Sequence, residues 1–123
     1  MKALLFVFIG GGLGSMCRYT VGRYFQGAEQ GFPTKTFIAN VLSCIVLGYL
    51  IGISMKYGLD NKYKLLFMTG FCGGFSTFSS FSAEVLLLLQ NNQTGIAIFY
   101  VISSVLICTL CLFLSYLAAN QLH

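Results

Sequence analysis

Apolar residues run through this chain in long blocks separated by short polar segments. Ala3–Cys17, Thr36–Met55, Leu65–Ala83 and Val85–Leu122 contain no Asp, Glu, Lys or Arg, the last over 38 residues. A bilayer core of about 30 Å is crossed by ~20 helical residues. On that ruler the blocks predict four transmembrane helices: Ala3–Phe25, Thr36–Met55, Leu65–Leu89 and Thr94–Ala118. Three connections join them. Gln26–Lys35 holds the only proline, Pro33; Lys56–Lys64 is the most charged; Gln90-Asn91-Asn92-Gln93 is a tight polar turn. None is long enough to separate domains, so residues 1–123 read as one all-α, four-helix transmembrane domain.

Composition strengthens this picture. Only 8% of the 123 residues are charged and 57% are apolar, whereas a soluble domain carries about a quarter charged residues. A small soluble domain hides only about 60–70% of its chain's surface, too little for this much apolar area. Soluble enzyme, nucleic-acid binder and disulfide-stapled secreted domain are excluded on that ground. The net charge of +4 comes from basic residues scattered between the apolar blocks, as helix-end anchors and topology markers are. Lys2 and the apolar run after it imitate a signal peptide, but no convincing small-x-small cleavage site follows. The first segment is expected to remain as a membrane helix.

Four alternating spans put Lys2, Lys56, Lys62 and Lys64 on one side, and Arg18, Arg23 and Lys35 on the other, a count of 4 against 3. Orientation normally follows a clear Lys/Arg excess on the cytoplasmic side. The near-balance predicts insertion in both orientations and antiparallel pairing. Gly10/Gly14, Gly48/Gly52 and Gly70/Gly74 stand four apart, a spacing that lets helix backbones approach. All five cysteines (Cys17, Cys44, Cys72, Cys108, Cys111) lie in apolar segments and read as small buried hydrophobes. Cys108-Thr109-Leu110-Cys111 has CxxC spacing without a second pair.

Polar groups inside hydrocarbon are costly and mark a partner or a water-filled path. The run Gly70–Ser82 places Gly73-Gly74 in mid-span, followed by five hydroxyl residues and the phenylalanines Phe75, Phe78 and Phe81, spaced by three as one stripe. The pair Gly73-Gly74 predicts a break in the third helix. Broken helices occur at membrane depth only where protein or a cavity receives the freed backbone groups. Carbonyls there coordinate cations, and the N-terminus of the resumed helix favours anions. Asn40, flanked by Thr36 and Ser43, is either interhelical glue or a donor to an anion. Tyr100, Ser104 and Cys108 share one helix face and either bond neighbouring backbone or hydrate a pore wall. Arg18 stands near the end of its span and snorkels to the interface, and Glu84 is placed for a vestibule; a salt bridge or a plain surface position is the alternative for each. No acidic ring or His/Asp relay is present for a cation pathway. Hydroxyls, an amide, helix N-termini and the positive edges of aromatic rings suit a small anion. No nucleophile–base pair points to catalysis, and the sole histidine is His123.

Three stretches resemble the signatures of the Fluc (CrcB-type) fluoride channels: Gly10–Tyr19; Thr36-Phe37-Ile38-Ala39-Asn40-Val41 with Gly48; and Gly70–Phe81, a GxxGGxxTFSxF run. The likeness covers all four spans. It implies a passive fluoride-selective channel that lowers toxic cytoplasmic fluoride, an antiparallel dual-topology dimer with two pores, and a structural sodium ion at its centre. By position, Phe78 and Phe81 would be the pore phenylalanines and Asn40 the pore amide. Tyr100 and Ser104 would belong to the polar track, and Arg18 would stand at the pore entrance. Backbone carbonyls of Gly73 and Ser76 would hold sodium. Three positions depart from the pattern: Ser76-Thr77 stands for two threonines, Ser80 for a threonine, and Cys108 for a hydroxyl. The implied partner is a second copy, mildly favoured by the 4-to-3 count, or a paired homologue, with membrane lipid around the assembly. The competing reading is a small multidrug-resistance-type proton-coupled exporter. That class needs a buried carboxylate in the first span, where this chain has none.

Overall fold

The computed structural model describes residues 1–26 and 31–122; the middle of the first connection and His123 lie outside them. Helix α1 spans Lys2–Tyr24 and α2 spans Thr34–Ile53, continued by one wide turn, Ser54–Gly58. The third span opens with α3, residues 61–75. It consists of a short turn Asn61–Tyr63, a π-wound stretch Lys64–Cys72 and an α-turn Gly73–Phe75. After a break the span resumes as α4, Phe78–Gln90, and the last span is α5, Thr94–Gln121. Four helical spans are thus long and apolar enough to cross a membrane. Their outer faces remain apolar: Leu4, Phe8, Phe99 and Leu106 are among many exposed large side chains. That pattern suits lipid rather than water.

The helix ends carry ordinary chemistry. Asp60 caps α3 by accepting from the Lys62 N–H at 3.3 Å, and the same contact holds its carboxyl below the ordinary value. Asn92 adopts the left-handed conformation at φ 58°. It closes α4 with Gln93 N–H donating back to the Leu88 carbonyl at 2.8 Å, as a Schellman-type end does.

Glycine decides how the helices meet. A Cβ on Gly10 would collide with the Leu66 carbonyl, one on Gly14 with the Phe71 carbonyl, and one on Gly74 with the Gly11 carbonyl. Helices α1 and α3 therefore touch backbone to backbone. On the other side, Gly48 and Gly52 of α2 admit the backbone of α5 at Leu112 and Tyr116. All three four-residue glycine pairs serve this close packing.

The third span breaks later than the glycine pair suggested. Gly73 keeps right-handed helical angles and Gly74 follows it in the α-turn. The chain turns extended at Ser76 (ψ 157°) and Thr77 (φ −151°, ψ 117°). Hydroxyl residues supply what the missing helix bonds would have: Ser76 Oγ donates to the Cys72 carbonyl at 2.9 Å, and Thr77 Oγ1 accepts from Ser80 N–H at 3.2 Å, capping α4. Such caps are the typical work of Ser and Thr. The break also splits the expected phenylalanine stripe. Phe75 is buried on α3 against Phe71, with ring centroids 5.6 Å apart, whereas Phe78 pairs with Phe81 at 5.6 Å beyond the break.

Candidate functional site

Helices α2 and α5 run in the same direction with a constant register. Lys56 Nζ donates to the Asn120 carbonyl, 64 residues on. Gly52 meets Tyr116 and Gly48 meets Leu112, again 64 apart. Thr36 and Tyr100, another pair separated by 64, both donate to Glu84, at 2.5 and 2.8 Å. Asn40 thereby stands level with Ser104, and Cys44 with Cys108. The shared four-residue rhythm of the two helices makes one seam. It is polar from Thr36 to Cys44 and sealed by glycine from Gly48 onward.

The break in the third span faces the polar half. Asn40 Oδ1 accepts from Thr77 N–H at 2.8 Å, and its Nδ2 donates to the Thr77 carbonyl at 3.4 Å. Asn40 is therefore interhelical glue, with one amide hydrogen left over. Ser43 turns to α3 and donates to the buried Cys72 carbonyl at 3.0 Å.

A groove of about 280 Å³ opens at this level, lined by Asn40, Ser76, Phe78, Phe81 and Ser104 together with Cys44 and Cys108. Phe81 packs on Tyr100 with centroids 5.0 Å apart, while Phe78 leaves 79% of its surface exposed. Tyr100 is fully buried in a cluster with Leu88 and Ala97. Ser104 is 7% exposed, and its Oγ is the one buried side-chain oxygen or nitrogen without a hydrogen-bond partner among the described residues.

Toward the Arg23 end lies a second cleft of about 320 Å³. Its walls include Arg18, Arg23, Lys35, Thr36, Ser80 and Glu84. Thr77 lines both cavities, so the helix break stands between the cleft and the groove. The cationic side chains at its mouth favour an anion. Glu84, half-buried and bonded by two hydroxyls, belongs to this wall rather than to the outer surface.

The break also frees carbonyls. In a continuous helix Thr77 N–H would serve the Gly73 carbonyl and Ser80 N–H the Ser76 carbonyl. They go to Asn40 Oδ1 and Thr77 Oγ1 instead. Gly73 is exposed, with nothing near its missing side chain. Carbonyl oxygens released in this way suit a hard cation.

Sequence reasoning singled out the groove residues but missed three braces. The capping role of Thr77, the Ser43–Cys72 bond and the junction of Thr36 and Tyr100 on Glu84 all depend on helix register across the interior. The equal four-residue steps Thr36/Asn40/Cys44 and Tyr100/Ser104/Cys108 were the available signal.

The chain also matches known proteins in sequence. Residues 5–116 match the family described as CrcB-like protein, Camphor Resistance (CrcB). The fluoride-specific ion channel FluC of Phocaeicola vulgatus is 41% identical over 109 residues, covering 87% of this chain and 89% of that protein. FluC of Flavobacterium psychrophilum is 36% identical over 127 residues, covering 99% of this chain and 100% of its own. FluC of Escherichia fergusonii is 41% identical over 107 residues, with 86% and 84% covered. A multi-pass membrane chain whose four spans align along nearly their whole length with these channels is no enzyme, and it belongs to the CrcB/FluC family of fluoride channels.

Proposed function

We propose that fluoride moves passively from the Arg18 cleft past Thr77 into the Ser104 groove, and that the chain lowers cytoplasmic fluoride in this way. The observation that carries the reading is the orphaned Ser104 hydroxyl. Leaving a buried hydroxyl unpaired costs about 1–3 kcal/mol. An anion that accepts from it recovers that cost. Ser104 Oγ–H and the spare Asn40 amide hydrogen donate to fluoride, while Phe78 and Phe81 offer ring edges bearing partial positive charge. Arg18 concentrates anions at the entrance. Tyr100, held by Glu84, keeps Phe81 in place.

A second, antiparallel copy completes the pathway. The 79% exposure of Phe78 leaves one wall of the groove open, and the 4-to-3 balance of basic residues supports insertion both ways. Two copies give two pores. The carbonyls of Gly73 and Ser76 from both copies would hold sodium, because one copy offers only two such oxygens and a second, antiparallel copy doubles them around one ion. Sodium would supply positive charge that ties the two helix breaks together. The multidrug-exporter reading loses support because Glu84, the sole carboxylate within the four spans, sits on the third span and is held by Thr36 and Tyr100.

The test is efflux from liposomes loaded with both anions and followed with fluoride and chloride electrodes. Fluoride should leave while chloride stays. Equal chloride release, or no fluoride release from the single purified chain, would overturn the homodimeric channel.

A further inference from the structure

The seam holds one pair of thiols that the proposed fluoride path leaves unused. Cys44 and Cys108 stand level in the 64-residue register and line the same groove. Both line the groove beside Ser104, and neither is in a disulfide. The unpartnered Ser104 hydroxyl, one turn away on the Cys108 helix, marks this as space meant for a guest. Thiolate sulfur is a soft donor that selects soft cations. Two sulfurs brought to one groove suit the two-coordination that such ions take with thiolates.

We propose that Cys44 and Cys108 form a two-sulfur site for a thiophilic cation, and that its occupation plugs the groove. The plug rests on the groove being the fluoride path; the sulfur site stands on the cysteine geometry alone. With mercuric ion, two S–H bonds break, two S–Hg bonds form and two protons pass to water, with no change of oxidation state. The product is neutral, so membrane depth opposes it far less than a bare charge. It stands directly below Ser104 and removes the room an anion needs there.

The experiment uses mercuric chloride on the purified full chain. In detergent, sulfur-to-mercury absorbance and released protons are titrated; in liposomes, each protein's fluoride efflux is compared with its own metal-free rate. The native chain should gain the absorbance, release two protons per ion and lose flux by about tenfold or more, with recovery on adding dithiothreitol. Cys44→Ser/Cys108→Ser should lose the absorbance and the block, whereas Cys17→Ser/Cys111→Ser should keep both. A block or absorbance undiminished in the first double variant overturns the site. Absorbance and protons without block overturn the plug. Absent native flux before metal overturns the fluoride reading, and the absorbance then still decides the sulfur site.

Discussion

The two halves of the α2–α5 seam share one register and one direction, yet they do opposite things. From Gly48 to Gly52 the helices touch at the backbone and leave no room. At Asn40 and Cys44 the same two helices line a groove, with Thr77, Phe78 and Phe81 of the third span along it. What differs is the residue at each fourth position. Glycine lets backbones close; threonine and asparagine reach across to the third span, and asparagine and cysteine line the groove. A seal and a path are therefore produced by substituting single positions in one repeating contact. The break in the third span supplies the remaining wall.

The largest effect should come from opening the sealed half. Gly48→Val puts a Cβ into the Leu112 carbonyl, and overpacking against backbone costs about 3 kcal/mol. Size-exclusion chromatography and thermal melting should show a collapsed yield and a lower Tm. On the open side, Phe78→Ile and Phe81→Ile should each drop fluoride efflux to the liposome background while the elution volume stays native. Normal flux in both would remove the rings from the path. Asn40→Ala removes two bonds to Thr77 and orphans its buried N–H, so stability should fall by about 1–3 kcal/mol and flux should fall with it. The smallest effect belongs to Asp60, outside the seam. Its folded-state value lies below the ordinary 3.8 because Lys62 N–H bonds to the carboxylate. Its contribution is therefore full above that value and fades as pH falls through the lower folded value. Asp60→Asn should leave fluoride flux unchanged near neutral pH, since the residue is solvent-exposed and does not line the groove.

Much of this was legible before the structure. Charge-free blocks fixed the four spans to within a few residues, because helix length in a bilayer is set by thickness and not by tertiary detail. The glycine pairs announced close packing for the same local reason. The break was misplaced because Gly73-Gly74 satisfies two demands at once. Gly74 is needed where α1 presses on α3, against the Gly11 carbonyl, and both glycines keep helical angles. The hydroxyls of Ser76 and Thr77 cap free ends more effectively, and Asn40 captures Thr77 N–H from a distant helix. A single stripe of Phe75, Phe78 and Phe81 presumed an unbroken helix, so it failed at the same point. Ser104 was legible as a polar residue on a face, but its lack of a partner is a property of the packed interior alone.

That lack gives the sharpest measurement: fluoride efflux of Ser104→Ala set beside its melting temperature. Because Ser104 Oγ bonds nothing within the described chain, its removal should leave Tm unchanged or raised, while efflux falls about tenfold, the equivalent of one lost donor at roughly 1.4 kcal/mol. Full efflux in this variant would contradict the account, since the groove would then conduct without the one hydroxyl left free to meet the ion.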